Sequence, residues 1–308
     1  MKFILRKFKL SPSKFKLSLS KFLLLAMLAQ TAGAQQVTTE KKCAVRADGP
    51  LPTELWQLGD STKHHDVRMN VELPSGHAPA AFVRLIEGKL GAVAAGVLQE
   101  WNEESDELPD TLRVRNNAEL VAFFDRVVES VDAEALAAAE YMDNPDMASG
   151  SVRLDYRLRA EWPGMATFEA NIYGYHAGAA HGMGVSFAET YDIATLESFS
   201  LAHFADTLSL KRSIYAHLAD YFGHPAEEAL FGATTPASPD FGRAFPFPQA
   251  RPYLTAEGVA FVSQPYEIAP FAAGLPLAVV PYAEALGWAT VEGRRWIERA
   301  MCAPENKD

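Results

Sequence analysis

Hydrophobic and polar residues alternate most regularly in the middle of this 308-residue chain. Over residues 152–162 every second residue is apolar, and a similar run over 166–172 follows the turn residues Pro163-Gly164. The two runs predict an antiparallel hairpin with one face exposed to water. A third regular alternation, over 67–73, predicts an earlier half-buried strand. Further strands are predicted at 185–192, 252–254, 259–263 and 277–280.

Between these strands, apolar residues recur at helical spacing. After Pro79, a single apolar stripe runs to Trp101 at intervals of three and four residues, which predicts a long amphipathic helix. A second helix is predicted to begin at Asn116 or Asn117, either of which could cap it. A third is predicted to end at Gly223, and a last one to begin at Thr290.

The order of these elements predicts an α+β fold: an N-terminal strand plus helices, then an antiparallel sheet with packed helices. Residues 35–64 are polar and without periodicity, so we expect an extended lead-in there. The turn residues of 143–150 form the clearest linker. We therefore expect a small α+β domain at 65–148 and a second α+β domain at 149–308.

The N-terminus has the composition of a secretory signal peptide. Its first 21 residues contain seven basic side chains and no acidic one, and an apolar run over 22–28 leads to Ala32-Gly33-Ala34. We expect a signal peptide at 1–34 and a periplasmic or secreted protein. Loss of those seven basic residues lowers the formal net charge from −11 to −18. Such a charge excludes nucleic acid as a partner and favours cationic ones. No stretch of the mature chain is long and apolar enough to predict a membrane span.

The only two cysteines, Cys43 and Cys302, lie near the two ends of the mature chain. In an oxidising compartment we expect them to form a disulfide with each other, and two buried free thiols are the alternative. Closing so long a loop would stabilise the fold by roughly 4–5 kcal/mol in the chain-entropy description.

Motifs of the common catalytic classes are missing from the sequence. It contains no Gly-x-Ser-x-Gly elbow, no phosphate-binding loop and no complete dinucleotide fingerprint. His64-His65-Asp66 and the pair His176 and His181 offer metal-ligating side chains, but neither group has the His-Glu-x-x-His spacing. We therefore expect neither a cofactor nor a metal site.

Two segments concentrate residues suited to recognition. Residues 173–183 read Tyr-Gly-Tyr-His-Ala-Gly-Ala-Ala-His-Gly-Met, in which glycine permits close approach and tyrosine supplies contact area. Residues 264–274 read Gln-Pro-Tyr-Glu-Ile-Ala-Pro-Phe-Ala-Ala-Gly, and their two prolines exclude a central strand or a regular helix. The candidate ligand-binding residues are Tyr173, Tyr175, His176, His181, Tyr266 and Glu267.

Two of these candidates also have a structural interpretation. His181 is flanked by small residues and could bond the backbone of a tight turn. Glu267 has no second carboxylate at a defined spacing, so we expect it to anchor its turn by accepting hydrogen bonds from backbone amides.

Several strings in these segments resemble a known domain family. They are Ala179-Ala180-His181-Gly182, the run 192–201 that ends in Phe-Ser-Leu, residues 265–271 with Ala273-Gly274, and Pro281-Tyr282. They resemble the C-terminal domain shared by the lysozyme-sensing anti-sigma factor RsiV and the accessory region of the peptidoglycan deacetylase PdaC. Residues 65–101 resemble the smaller domain that usually precedes it.

The resemblance implies an extracytoplasmic α+β module with no established chemistry of its own. In the anti-sigma factor this region binds lysozyme, whereas in the deacetylase the hydrolysis belongs to a separate metal-dependent domain. The Asp-Asp and His-x-x-x-His motifs of that catalytic domain are missing from this sequence. The resemblance therefore assigns neither the complete sensor activity nor the deacetylase activity to this chain.

We expect an exported envelope binding module without established catalytic activity, which recognises a cationic lysozyme-type hydrolase or peptidoglycan. The alternative is a metal-dependent cell-wall hydrolase or deacetylase that uses His176, His181 and Glu267. That alternative requires two distant loops to converge on one pocket. A third possibility is a structural partner in an envelope complex.

Overall fold

The computed structural model describes residues 50–302, except 77, 102–111, 113, 115, 145–146 and 233–234. The predicted signal peptide at 1–34 and Cys43 lie outside the described residues. The pairing of Cys43 with Cys302 therefore stays a prediction. None of the helices in the described part of the chain combines the length and the hydropathy that crossing a bilayer requires.

The fold is α+β, as predicted, and consists of two sheets with several helices. The described residues form eight strands: β1 Thr53–Ser61, β2 His65–Pro74, β3 Gly150–Trp162, β4 Met165–Tyr175, β5 Met183–Asp192, β6 Tyr253–Leu254, β7 Gly258–Val262 and β8 Leu277–Pro281. The α-helices are α1 Ala80–Trp101, α2 Asn117–Ala139, α3 Thr207–Phe222, α4 Phe241–Ala244, α5 Tyr282–Ala285 and α6 Val291–Met301. Short 3-10 turns occur at Leu201–His203, Ala226–Glu228 and Phe271–Ala273.

The larger sheet has the strand order β1-β2-β3-β4-β5. Its neighbouring strands are antiparallel except β2 and β3, which run parallel because α1 and α2 form the crossover between them. This parallel pair joins the segments 65–148 and 149–308, which we expected to be separate domains. Both segments therefore contribute strands to the same sheet and side chains to the same core.

Strand β1 corrects the prediction of an extended lead-in at 35–64, since the ordered fold begins before His65. Only Trp56 and Leu58 of β1 pack against the core, and most of its other residues are exposed. An edge strand with so few buried positions shows no clear alternation in its sequence. The periodicity argument missed β1 for this reason.

Helices α1 and α2 cover one face of the larger sheet, as their apolar stripes predict. Phe82, Ile86 and Leu90 of α1 are fully buried in this core. The side chain of Asn116 caps α2 by accepting a hydrogen bond of 3.0 Å from the Glu119 N–H, which confirms the predicted start of that helix. The opposite face of the sheet, which we call the open face, is polar.

The smaller sheet, β6-β7-β8, packs with α3 and α6 around a second apolar core. It is joined to the larger sheet by Leu254, which accepts a hydrogen bond from the Thr167 hydroxyl and donates one to Thr190 Oγ1. Ala188 of β5 packs against Tyr253 and its neighbours at the same junction. The smaller sheet thus covers the β5 side of the open face.

Candidate functional site

The first candidate segment, 173–183, forms the end of β4, a turn and the start of β5. Tyr173 and Tyr175 are paired in register with Arg153 and Ser151 of β3, so their side chains extend over the open face. The Tyr175 hydroxyl donates a hydrogen bond of 3.0 Å to the Ala179 carbonyl across the turn. These contacts give the turn a defined shape.

Tyr173 packs its ring directly over Gly182. A methyl group added at position 182 would overlap the Tyr173 hydroxyl and ring. The Tyr173 side chain is nevertheless 40% exposed. The glycine therefore allows a tyrosine to lie flat along the turn while keeping one side of its ring in water.

The second candidate segment, 264–274, is fastened to β5 by a side chain. Gln264 is buried, and its amide exchanges two hydrogen bonds with the backbone of Ser186, of 2.6 and 3.2 Å. Two residues on, Tyr266 has a positive φ of 63° and a side chain that is 46% exposed. A tyrosine held in this strained backbone region and left in solvent is unusual for a residue with only a packing role.

Glu267 anchors the same turn, as its structural interpretation predicted. Its carboxylate accepts backbone hydrogen bonds from Gln264 at 2.8 Å and from Gln249 at 2.6 Å. Burial raises the pKa of Glu267, and the two N–H donors offset part of that rise. The carboxylate is thus occupied in joining two loops, and its known contacts are structural.

The two segments meet through a ring stack between His181 and Phe271. Their ring centroids are 3.9 Å apart with the planes inclined by 19°, and Tyr266 lies 6.0 Å from the same phenylalanine. The Nδ1 atom of His181 is 2.9 Å from the Gly182 carbonyl, which fixes the ring over the turn. We call Tyr173, His181, Tyr266 and Phe271 the aromatic patch.

Two further exposed aromatic residues border the 264–274 segment. The Tyr221 hydroxyl, at the end of α3, donates a hydrogen bond of 2.9 Å to the Ala273 carbonyl. The backbone of Phe231 donates one of 2.8 Å to the Ile268 carbonyl. Sequence reasoning missed both residues because neither lies in a distinctive motif, and only the fold brings them to this segment.

His176 lies apart from the aromatic patch, on the helical side of the sheet. Its ring stacks on Trp101, and its Nδ1 and Nε2 atoms lie 2.9 Å from Glu134 and 3.6 Å from Glu100. Burial alone would lower the pKa of His176, but hydrogen bonds and charge interactions with the two glutamates outweigh it and raise the pKa to about 9. A protonated His176 therefore links β4 to α1 and α2.

A metal-dependent enzyme would need His176, His181 and Glu267 to meet in one pocket. The structure does not bring the three together, because each side chain contacts different residues. The carboxylates beside His176 lie at opposite ring nitrogens, so they cannot share an ion with the ring. Across the described ranges, no group of three or more His, Cys, Asp and Glu side chains is placed to hold a metal ion. His65, at the start of β2, has a separate contact: its Nδ1 atom lies 3.0 Å from a carboxylate oxygen of Asp132.

Comparisons with known proteins show similarity in the second candidate segment and in the fold as a whole. The family model "Protein of unknown function (DUF3298)" matches residues 224–283, which include β6, β7, β8 and the segment 264–274. No curated protein matches the chain significantly.

Two crystal structures of DUF3298 family proteins have a similar fold. One, from Bacteroides fragilis, is 14% identical, with a TM-score of 0.59 over 82% of this chain and 98% of that one. The other, from Pseudomonas aeruginosa, is 19% identical, with a TM-score of 0.50 over 80% of this chain and 97% of that one. At these identities the similarity concerns the fold alone.

Proposed function

We propose that this chain is an exported binding module of the cell envelope and that its aromatic patch recognises a cationic protein of the lysozyme type. The observation that carries the proposal is the stack of His181 on Phe271, which joins two segments about 90 residues apart in the sequence. The joined segments leave Tyr173 and Tyr266 in solvent, with 40% and 46% of their surface exposed. Exposed tyrosines on a fixed backbone are typical of protein-recognition surfaces.

The anchoring of the patch supports binding more than chemistry. The buried Gln264 and the two backbone contacts of Glu267 hold the 264–274 segment against β5 and the loop at Gln249. A preorganised surface loses little conformational entropy when a partner docks. The polar side chains Gln264 and Glu267 are engaged in contacts that hold the 264–274 segment in place. The exposed aromatic rings of the segment are therefore the groups available to contact a ligand.

Charge supports the choice of a cationic partner. Without the seven basic residues of the predicted signal peptide, the formal net charge is −18. A surface of that sign attracts a basic protein over a distance of roughly 10 Å at moderate salt and raises its association rate. The resemblance to the domain shared by RsiV and PdaC adds support, because the sequence strings that carry it include His181, Tyr266 and Phe271.

The test is binding of the exported protein to a c-type lysozyme, measured by calorimetry at low and at physiological salt. An unrelated protein of equal positive charge serves as the control for simple charge attraction, which salt screens. Tyr173→Ala and Tyr266→Ala should each weaken lysozyme binding about tenfold or more, as expected for aromatic anchor residues. Leu136→Ala, at an exposed position on α2, is the matched control and should bind as the wild type does.

Selective lysozyme binding that persists at physiological salt and depends on the two tyrosines would support the proposal. Equal binding of the basic control protein would reduce the interaction to charge attraction and contradict it. Binding to purified peptidoglycan without lysozyme binding would also reject the proposed partner, and would assign the module to the cell wall itself.

A further inference from the structure

A cross-strand row on the open face places two arginines and a tyrosine side by side. Arg68 of β2 is in register with Arg153 of β3, and Arg153 is in register with Tyr173 of β4. Side chains at paired positions lie on the same face, about 5 Å apart at their Cβ atoms. Glycines occupy both ends of the row, at Gly59 of β1 and Gly184 of β5, so its flanks carry no side chain.

The two arginines are poorly neutralised. Both face one carboxylate, Asp66, whose oxygens lie 2.9 Å from Nε of Arg68 and 3.6 Å from Nη2 of Arg153. The second distance is too long for a hydrogen bond. The side chains of Arg68 and Arg153 are 59% and 57% exposed. Like charges directly opposite each other on neighbouring strands destabilise a sheet, and the single shared carboxylate of Asp66 offsets the repulsion of the two arginines only in part.

The next cross-strand row on the open face carries amide and carboxylate side chains. Gln57, Asn70, Asp155 and Asn171 are in register across β1 to β4. Asn70 donates to Asp155 at 2.7 Å and accepts from Gln57 at 3.1 Å, so these side chains already form an ordered array. Amide and carboxylate groups held in such an array suit the hydroxyl and amide groups of a sugar.

We propose that this part of the open face binds an acidic polysaccharide, with a sugar carboxylate held by Arg68 and Arg153 and a sugar ring lying against Tyr173. A guanidinium fork matches a carboxylate in geometry and charge, and two forks side by side can hold both of its oxygens. The exposed tyrosine offers an apolar surface to the C–H face of a ring. The extended sheet face suits a chain of sugars, since Gly59 leaves room beside Arg68 at the β1 end of the row.

The charge of the whole protein restricts what such a site can hold. The chain as a whole is acidic and repels a polyanion at long range. Binding must therefore come from direct contacts at the two arginines, and it requires hydroxyl partners for the neighbouring amides. A sugar acid provides both groups, whereas an acidic peptide provides the carboxylates without the hydroxyls.

The test uses the exported protein with three soluble polymers: polygalacturonate, neutral dextran and polyglutamate. Binding is measured by calorimetry at physiological salt. The double variant Arg68→Gln, Arg153→Gln should bind polygalacturonate about tenfold or more weakly than the wild type, as loss of charge-assisted bidentate contacts implies. The matched control is Arg126→Gln, Arg294→Gln, which removes the same charge at two exposed helical positions and should leave binding unchanged. Thermal unfolding of each variant verifies that the fold is retained.

Preference for polygalacturonate over both other polymers, lost only in the Arg68 and Arg153 variant, supports the site. Equal weakening in the control variant overturns it, because the effect is then one of net charge. Polyglutamate binding as tight as polygalacturonate binding also overturns it and assigns the surface to acidic peptides. The two proposed sites share Tyr173, but the variant tested here changes only Arg68 and Arg153, which lie outside the aromatic patch. Failure of lysozyme binding would therefore not change the outcome of this test.

Discussion

His176 lies flat against Trp101, with ring centroids 4.1 Å apart and planes inclined by 21°. The stack joins the last residue of α1 to the first residue after β4, immediately before the turn that carries His181. The same turn is held on its other side by the stack of His181 on Phe271. The aromatic patch is therefore built on a turn that is fixed at both ends.

The charge of His176 makes this anchoring dependent on pH. Its folded-state pKa of about 9 lies above the ordinary value of 6.5, so the folded protein holds the proton more tightly than the unfolded chain does. The stabilisation should be complete below pH 6.5, fall as the pH rises towards 9 and be lost above that value. We expect a loss of about 1–3 kcal/mol in the free energy of unfolding over this window.

Urea unfolding at several pH values between about 6 and 10 measures this contribution. In His176→Gln the part of the pH dependence due to this histidine should disappear, and the protein should be less stable near pH 6. A variant whose unfolding free energy follows the wild-type pH profile would show that the two glutamates do not hold a proton on His176.

A pair of glycine substitutions tests the position of Tyr173. Gly182→Ala places a methyl group against the Tyr173 ring, whereas Gly184→Ala meets its nearest neighbours only at 3.8 and 3.9 Å. Because Tyr173 is an exposed side chain that can rotate away, we expect both variants to unfold within about 0.5 kcal/mol of the wild type. Only Gly182→Ala should weaken binding of the aromatic-patch ligand. Equal binding by the two variants would mean that the orientation of Tyr173 is irrelevant.

A buried ion pair beneath α1 predicts a larger loss of stability. Lys89 Nζ lies 2.9 Å from Glu189 on β5, and the Tyr191 hydroxyl donates a hydrogen bond to the same carboxylate. Lys89→Met would leave that carboxylate buried with its positive partner removed, which costs about 3–5 kcal/mol. Replacing both members, as in Lys89→Met, Glu189→Gln, should recover most of the loss, because the glutamine is neutral and its carbonyl oxygen can still accept the Tyr191 hydrogen bond. Thermal and urea unfolding of the single and double variants provide the measurement, and a double variant as unstable as the single one would contradict the explanation.

The elements with a continuous buried face were the ones that the sequence predicted well. Phe82, Ile86 and Leu90 bury one stripe of α1, and the alternation over 152–162 reproduces the buried side of β3. Burial selects apolar residues at a fixed period, so the period reveals the element. Strand β1 buries little and left no such signal, and the parallel pairing of β2 with β3 has no signature in the spacing of either strand.

The sequence predicted which segments form the candidate site, but it did not predict how these segments contact each other. Local composition singled out the segments 173–183 and 264–274, because glycine, proline and tyrosine restrict what a turn can do. Their contact through His181 and Phe271 depends on how the smaller sheet packs against β5, which no local pattern encodes. His176 lies on the helical side of the sheet, against Trp101, whereas Tyr173 and Tyr175 lie on the open face, so residues close in the sequence belong to different surfaces.

Glu267 provides a way to loosen the second segment without disturbing the larger sheet. Its two carboxylate contacts, to the backbone amides of Gln264 and Gln249, are charge-assisted hydrogen bonds that a neutral amide makes less well. We expect Glu267→Gln to cost about 1–2 kcal/mol and to speed amide hydrogen exchange at positions 249 and 264. Glu228→Gln, at an exposed position, is the control and should leave exchange unchanged. Unaltered exchange in Glu267→Gln would mean that Gln264 alone holds the segment, through its paired hydrogen bonds to Ser186.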